Sequence, residues 1–264
     1  MKNILVPVGE SENAKNLVQY AIDFSAAFDA TLYVVQVYNV YTKAGTMIKV
    51  DHIIEREGQE SLKQLISELD TKGVTVIPRT IKGALIETLE LAAKHNSIDL
   101  IMIEPKTTSI KDEVFLGKTS GKIIKKTNIP TLIVPEDYTF KPFNKILMAM
   151  KSTVIKRVGV LNPLQVIKTH FQATVNLLLV KTSNYKEGDF EENDELLEMV
   201  NNTTTTENAT TFQGVLEHFQ SNNPDMLCVV RRKRGFFAKK WEKNTILKKN
   251  FHSSKPVLVL RGFR

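Results

Sequence analysis

IDLIMIEPK, residues 98–106, is the stretch that decides the fold, because the chain contains it twice. Its run of apolar residues suits a strand that is buried on both faces, and the related stretch PDMLCVVRR occupies residues 224–232. A second pair of similar stretches follows: NIPTLIVP at 128–135 comes after the first copy, and SKPVLVLR at 254–261 comes after the second. From Asp99 to Pro130 and from Asp225 to Pro256 the interval is 31 residues in both cases. Chance similarity among apolar runs would not keep that interval, so the repeat indicates a duplicated domain.

The duplication extends back to the first strand of each copy. KNILVPV, residues 2–8, returns as NKILMAM, residues 144–150. From this strand to the repeated Asp the first copy has 95 residues and the second has 79, so the second copy has lost about one helix. We therefore predict two domains, residues 1–140 and residues 141–264.

Within each copy, short apolar runs alternate with segments of helical period. In the first copy the predicted strands are 3–8, 31–38, 74–80, 99–105 and 131–135. This alternation, with strands rich in Val, Ile and Leu, predicts an α/β fold in which helices cover both faces of a five-stranded parallel sheet. Right-handed crossovers make each sheet doubly wound.

The second copy follows the same plan with weaker signals. A helix is predicted near residues 153–169, and a Thr- and Asn-rich strand is predicted near residues 203–207. Because that stretch has few apolar residues, we expect it at the edge of its sheet.

The composition is that of an ordinary globular protein, with 42% hydrophobic and 25% charged residues. The sequence has no run of apolar residues long enough for a membrane span and no signal-peptide pattern at its start, so we expect a cytoplasmic protein. Residues 1–140 carry 16 Lys and Arg against 18 Asp and Glu, whereas residues 141–264 carry 20 against 11. This asymmetry points to an anionic partner for the second half.

The stretch VFLGKTSGKII, residues 114–124, resembles a phosphate-binding loop but lacks its spacing. A P-loop needs a Gly, four residues, and then Gly-Lys followed by Ser or Thr. Asp112 stands where the first Gly would be needed, and Ile123 stands where the other frame needs Ser or Thr. The stretch instead predicts the beginning of a helix at Gly117, a position that favours an anion.

The repeated strands, the opening ILVPV and the closing IPTLIVP together resemble a tandem universal stress protein, over nearly the whole chain. The resemblance implies two flavodoxin-like, adenine nucleotide alpha hydrolase-like domains that bind ATP beyond the carboxyl ends of their strands. It also implies that the closing strands, Thr131–Val134 and Val257–Leu260, pair as an internal pseudo-dimer, and that the whole chain can dimerise. The candidate nucleotide crevice comprises Pro7, Gly9, Val37, Ile103, Gly117, Lys118 and Thr119.

The chain departs from the nucleotide-binding signature of this family at four of five positions. The signature has Asp after the first strand and a Gly-x-x-Gly, nine residues, Gly-Ser/Thr loop. Here Gly9 replaces the Asp, while Glu104, Thr107 and Lys118 replace two glycines and the Ser/Thr; only Gly117 matches. A carboxylate about 5 Å from a phosphate costs roughly 1 to 3 kcal/mol, and Pro105 has no N–H to donate. We expect a degenerate site.

Residues 231–249, RRKRGFFAKKWEKNTILKK, carry nine Lys and Arg against a single Glu. One interpretation is an anion-binding patch formed by Arg231, Arg232, Lys233, Arg234, Lys239 and Lys240. The other is a solvated loop whose aromatic residues dock on the domain. Nucleic acid is the less favoured anion.

Other chemistry has weak support in the sequence. The five histidines lack metal-ligand spacing, so no metal is expected. The single cysteine, Cys228, lies in an apolar run and is predicted to be buried. No catalytic residue is predicted.

Three hypotheses of function remain open. The first is a non-catalytic stress-response protein that acts through ligand sensing or protein association. The second is an ATP-binding protein with slow ATPase activity in the first domain, in which Lys118 and Thr119 contact the phosphates. The third is an adaptor that binds an anion through residues 231–249.

Overall fold

The computed structural model of the 264-residue chain describes residues 1–9, 11–39, 49–105, 114–155, 157–191, 193–231, 246–247 and 252–262. The first half forms β1 (Asn3–Val8), α1 (Ala14–Phe28), β2 (Thr31–Tyr38), α2 (Lys49–Ser67), β3 (Val76–Lys82), α3 (Leu85–His95), β4 (Leu100–Ile103), β5 (Val114–Leu116), α4 (Lys118–Lys126) and β6 (Thr131–Ile133). The second half forms β7 (Lys145–Met150), α5 (Asn162–Phe171), β8 (Thr174–Lys181), α6 (Asp194–Met199), β9 (Asn202–Glu207), α7 (Thr211–Asn222), β10 (Met226–Arg231), β11 (Ile246–Leu247) and β12 (Val257–Arg261).

Ten strands form one sheet in the order β3-β2-β1-β4-β6-β12-β10-β7-β8-β9. Neighbouring strands are parallel within each half, and each half contributes five of them. The α/β fold with five parallel strands per half is therefore confirmed. The Thr-rich strand β9 lies at one edge of the sheet, as its poverty in apolar residues predicted.

The two halves join through their closing strands. β6 and β12 pair in the antiparallel sense, with Leu132 facing Leu258 and Ile133 facing Val257. The predicted pairing of these strands is confirmed, and it gives a hydrogen-bonded neighbour to a hydrophobic strand edge on each half.

The repeat is also visible in a pair of carboxylates at the amino ends of the strands. Asp99 Oδ2 accepts the backbone N–H of Lys2 at 2.6 Å and that of Asn3 at 3.2 Å. Asp225 Oδ2 accepts the equivalent pair, Asn144 and Lys145, at 2.8 and 3.0 Å. The Asp recognised in the sequence repeat thus fixes the first strand of each half in the same way.

Helices cover both faces of the sheet because strand side chains alternate between them. On one face the core includes Ile4 and Val6 with apolar residues of α1, α2, α5 and α6. On the other it includes Leu5 with apolar residues of α3, α4 and α7. Both layers extend across the β6–β12 pairing, so the halves share their hydrophobic cores. No helix in the described ranges is long and apolar enough to cross a membrane.

An aromatic cluster joins the halves on the face of α1 and α5. Phe143, which is buried in the segment before β7, lies 6.4 Å from the ring of Phe24 and 5.6 Å from that of Phe171. The cluster comprises Tyr20, Phe24, Phe28, Tyr138, Phe140, Phe143, His170 and Phe171.

A separate two-stranded sheet makes a further link between the halves. β5 pairs with β11 in the antiparallel sense, with Leu116 facing Ile246. Because β5 ends directly before Gly117, this sheet holds the beginning of α4 against the second half of the chain. The sequence did not predict either strand.

Candidate functional site

The order of the strands places a crevice between β1 and β4. Chain connections leave β1 towards β2 on one side and β4 towards β6 on the other, and ligands of open α/β sheets bind where the order reverses, beyond the carboxyl ends of the strands. Here β1 runs into Gly9 and β4 runs into Glu104.

Glu104 occupies this crevice with its own carboxylate. Its Oε2 accepts a hydrogen bond from the Ser11 hydroxyl at 2.9 Å and from the Asn13 side-chain amide at 3.2 Å. Asn13 is the residue that precedes α1, so the carboxylate lies at the positive end of that helix. Glu104 is only 5% exposed. A negative group supplied by the chain itself therefore stands where the resemblance places phosphates.

The environment of Glu104 opposes its negative charge. Burial raises the pKa of the Glu104 carboxyl; the hydrogen bonds from Ser11 and Asn13 lower it, and the nearby Glu136 raises it again, with a net rise above the ordinary value. The carboxylate is thus paired with neutral donors, which compensate only part of the cost of removing it from water.

The beginning of α4 is fastened to the end of β4. The Gly117 N–H donates to the Pro105 carbonyl at 2.8 Å, and the Ser120 hydroxyl donates to the Glu104 carbonyl, also at 2.8 Å. The N–H of Gly117, the one residue that matches the family signature, is consequently used within the protein. Lys118 and Thr119 are exposed in the first turn of α4.

The remaining crevice candidates lie on three strands. Pro7 pairs with Val35 one residue before the end of β1, and Val37 lies one residue before the end of β2. Ile103 is buried at the end of β4, directly before Glu104. Gly9 has open space beside it, since a Cβ there would meet no described atom within 4 Å. The structure therefore places Gly9, Ile103 and Gly117 next to the Glu104 network, with Pro7 and Val37 near the carboxyl ends of β1 and β2.

Sequence reasoning missed two residues of this site, Ser11 and Asn13. Both residues lie before α1, which begins at Ala14, and both side chains bind Glu104, which is more than 90 residues away in the chain. The sequence feature that could have identified them is the position of two short polar residues between the first strand and the first helix, at the carboxyl edge of the sheet.

In the second half, Arg231 is buried at the end of β10. Its guanidinium donates to the carbonyl of Thr127 at 3.4 Å, where α4 ends, and it faces Arg261 of β12 in the register of the sheet. Burial, and next the charge of Arg261, lower the pKa of Arg231 to about 10. The other residues of the proposed anion patch, Arg232, Lys233, Arg234, Lys239 and Lys240, lie outside the described residues.

Two further groups were weighed as sites of chemistry. Cys228 is fully buried, and burial raises the pKa of its thiol. The part of the chain that the structure describes contains no cluster of three or more His, Cys, Asp or Glu residues that could hold a metal.

Comparison with known proteins agrees with this architecture. A universal stress protein of Methanocaldococcus jannaschii is 24% identical over 138 residues, which are 50% of this chain and 81% of that protein. The structure of a universal stress protein from Archaeoglobus fulgidus matches 98% of this chain and 96% of its own length, with 16% identity. The TM-score of 0.71 between the two structures supports the fold. Another structure that matches 52% of this chain and 98% of its own, with a TM-score of 0.41 and 19% identity, is a universal stress protein in complex with cAMP.

The family model of the universal stress protein family matches residues 1–135, just over half of the chain. This match agrees with the strand order, with the repeat and with the relatives described above. The chain belongs to the universal stress protein family.

Proposed function

We propose that this universal stress protein does not hold a nucleotide in its first-half crevice at neutral pH and that it acts without catalysis, through association with other molecules in the cytoplasm. The observation that carries the proposal is the Glu104 carboxylate, which is bound to Ser11 and Asn13 at the carboxyl end of β4. We further propose that residues 1–140 and 141–264 are the two units of this protein.

Three features of the crevice oppose a phosphate group. The Glu104 carboxylate would repel it by roughly 1 to 3 kcal/mol at a separation of about 5 Å. The side-chain donors Ser11 and Asn13 already bind that carboxylate, and the N–H of Gly117 already binds the Pro105 carbonyl. Pro105 itself has no N–H to offer. An adenine nucleotide of the kind that this family binds therefore does not fit the residues present while Glu104 is ionised.

The experiment is a titration of the purified chain with ATP at neutral pH, followed by isothermal calorimetry and by the shift in melting temperature. It is combined with mass spectrometry of small molecules released from freshly purified protein. We expect no bound adenine nucleotide and no shift. Co-purified ATP or AMP, or saturable ATP binding at neutral pH, would contradict the proposal.

Slow ATP hydrolysis is the alternative function. It is favoured by Lys118 and Thr119, which are exposed in the first turn of α4. This alternative requires ATP turnover that is lost in the Lys118→Ala variant. The control is Lys141→Ala, which replaces an exposed lysine in the segment between the halves and should keep that turnover. If neither the natural chain nor the control variant turns over ATP, the non-catalytic proposal is supported.

A further inference from the structure

We propose that a single proton on Glu104 controls the first-half crevice: ionised Glu104 excludes phosphate-bearing ligands, and protonated Glu104 admits them. The inference rests on the proposed function, since it presupposes a crevice that is closed at neutral pH. It adds a means of regulation that responds directly to acidification.

The geometry makes Glu104 the link between four parts of the crevice. Its carboxylate binds Ser11 and Asn13 before α1, and its carbonyl accepts the Ser120 hydroxyl in the first turn of α4. The Asn13 side-chain oxygen in turn accepts the N–H of Asp137, in the segment after β6, at 3.4 Å. A change in the charge of this one carboxyl group therefore acts directly on the two donors before α1, at a residue whose main chain also holds the beginning of α4.

Burial and the nearby Glu136 favour uptake of a proton by Glu104. The segment after β6 brings Glu136, which repels the Glu104 carboxylate, and Asp137. The stretch before α1 contributes the neutral donors Ser11 and Asn13, with the exposed Glu12 between them, and α4 contributes the exposed Lys118. Because burial and Glu136 together raise the pKa of Glu104 above the ordinary value, its proton is taken up at a higher pH than that of an exposed glutamate.

Protonation changes what the crevice offers to an anion. The negative charge disappears, and with it the repulsion of a phosphate. A protonated carboxyl group also becomes a hydrogen-bond donor. The Ser11 hydroxyl and the Asn13 amide, which bind the charged carboxylate strongly, bind the neutral group less strongly and become able to donate to a phosphate oxygen instead.

The experiment measures ATP binding by calorimetry at about pH 5 and about pH 7.5. It compares the natural chain with Glu104→Gln, a neutral mimic of the protonated side chain, and with the control Glu187→Gln, at an exposed glutamate of the second half. We expect the natural chain and the control to bind ATP at least about tenfold more tightly at the lower pH, since a tenfold change corresponds to one pKa unit of coupling. Glu104→Gln should bind ATP at both pH values with similar affinity.

The outcomes separate this inference from the proposed function. If the natural chain binds ATP equally at both pH values, the inference and the proposed function are both wrong. If it binds at neither pH and Glu104→Gln also does not bind, the crevice is closed as proposed but Glu104 is not its switch. Circular dichroism of each variant establishes that it is folded; should Glu104→Gln not fold, the pH dependence of the natural chain and of Glu187→Gln decides, and its absence overturns the inference.

Discussion

Glu104 shows at the scale of a single residue how a binding site can be closed without a change of fold. The sequence alone predicted the conflict between its charge and a phosphate, because the residue aligns with a glycine of the family signature. It did not predict the partners of the carboxylate, because hydrogen bonds from Ser11 and Asn13 bridge more than 90 residues and depend on the order of β1 and β4 in the sheet.

The pH dependence of stability follows from the same residue. Because the folded-state pKa of Glu104 is raised, the folded protein binds more protons than the unfolded chain at pH values between the two pKa values. The contribution of Glu104 to the free energy of unfolding is therefore fully present below the unfolded-state pKa, and it is lost as the pH rises through the folded-state pKa.

We expect Glu104→Gln to melt at a higher temperature than the natural chain at neutral pH, since the amide oxygen keeps the hydrogen bonds from Ser11 and Asn13 without a buried charge. The advantage should shrink as the pH is lowered and the natural carboxyl group becomes protonated. Melting curves across this pH range, with Glu187→Gln as the control, test the prediction. A Glu104→Gln chain that is less stable at neutral pH and at acid pH alike would contradict it.

At the scale of elements, strands were predicted more accurately than helix ends and short sheets. The long apolar runs located the strands of both halves because burial on both faces leaves a strong signal. The helix predicted near residues 153–169 instead spans Asn162–Phe171. Pro163 lies in its first turn, a position that proline favours and that marks where the helix begins.

The small sheet of β5 and β11 was missed for a different reason. Its strands are three and two residues long, and their pairing joins residues about 130 positions apart, Leu116 with Ile246. Nothing in the local sequence distinguishes such short segments from loops, so only the packing of the two halves determines that they pair.

Gly214 provides a test of how closely a helix packs on the second-half sheet. A Cβ at this position in α7 would lie 2.8 Å from Val180 Cγ2 and 3.2 Å from Thr206 Cγ2, both on stiff β-branched side chains. Alanine is favoured over glycine inside a helix by up to about 1 kcal/mol, but overpacking costs about 1 to 3 kcal/mol.

We therefore expect Gly214→Ala to reduce the free energy of unfolding by about 1 kcal/mol, measured by urea denaturation. Gln220→Ala, an exposed position of the same helix, is the control and should be neutral or slightly stabilising. A more stable Gly214→Ala chain would mean that α7 can move away from β8 and β9 at little cost.

At the scale of the whole molecule, the aromatic cluster and the β6–β12 pairing make the two halves depend on each other. The sequence predicted the strand pairing through the family resemblance, but not the cluster. Its members are far apart in the chain, and their rings meet only because the pairing places α1 beside α5.

A substitution at Phe143 tests how far the two halves depend on each other, because its ring packs against rings from both halves. We expect Phe143→Ala to lower the free energy of unfolding by about 3 to 5 kcal/mol, the usual cost of removing a buried phenylalanine ring. Unfolding of the variant should remain a single transition, since both halves lose the same support. Leu91→Ala, at a side chain that is 69% exposed, is the control and should change stability by less than about 0.5 kcal/mol.

Calorimetry of the three proteins tests this expectation. Two separate unfolding transitions in Phe143→Ala, with only one of them moved to lower temperature, would mean that the halves are stable independently of the cluster.

The antiparallel seam between β6 and β12 also determines the direction in which each half faces. Because the strands are parallel within a half and opposed across the seam, the Glu104 crevice and the Arg231 end of β10 open on opposite rims of the molecule. A single small ligand cannot contact both rims, so a substitution at one of them leaves the chemistry of the other unchanged. The two halves thus differ in chemistry at these rims, since one has the buried Glu104 carboxylate and the other has the buried Arg231 guanidinium.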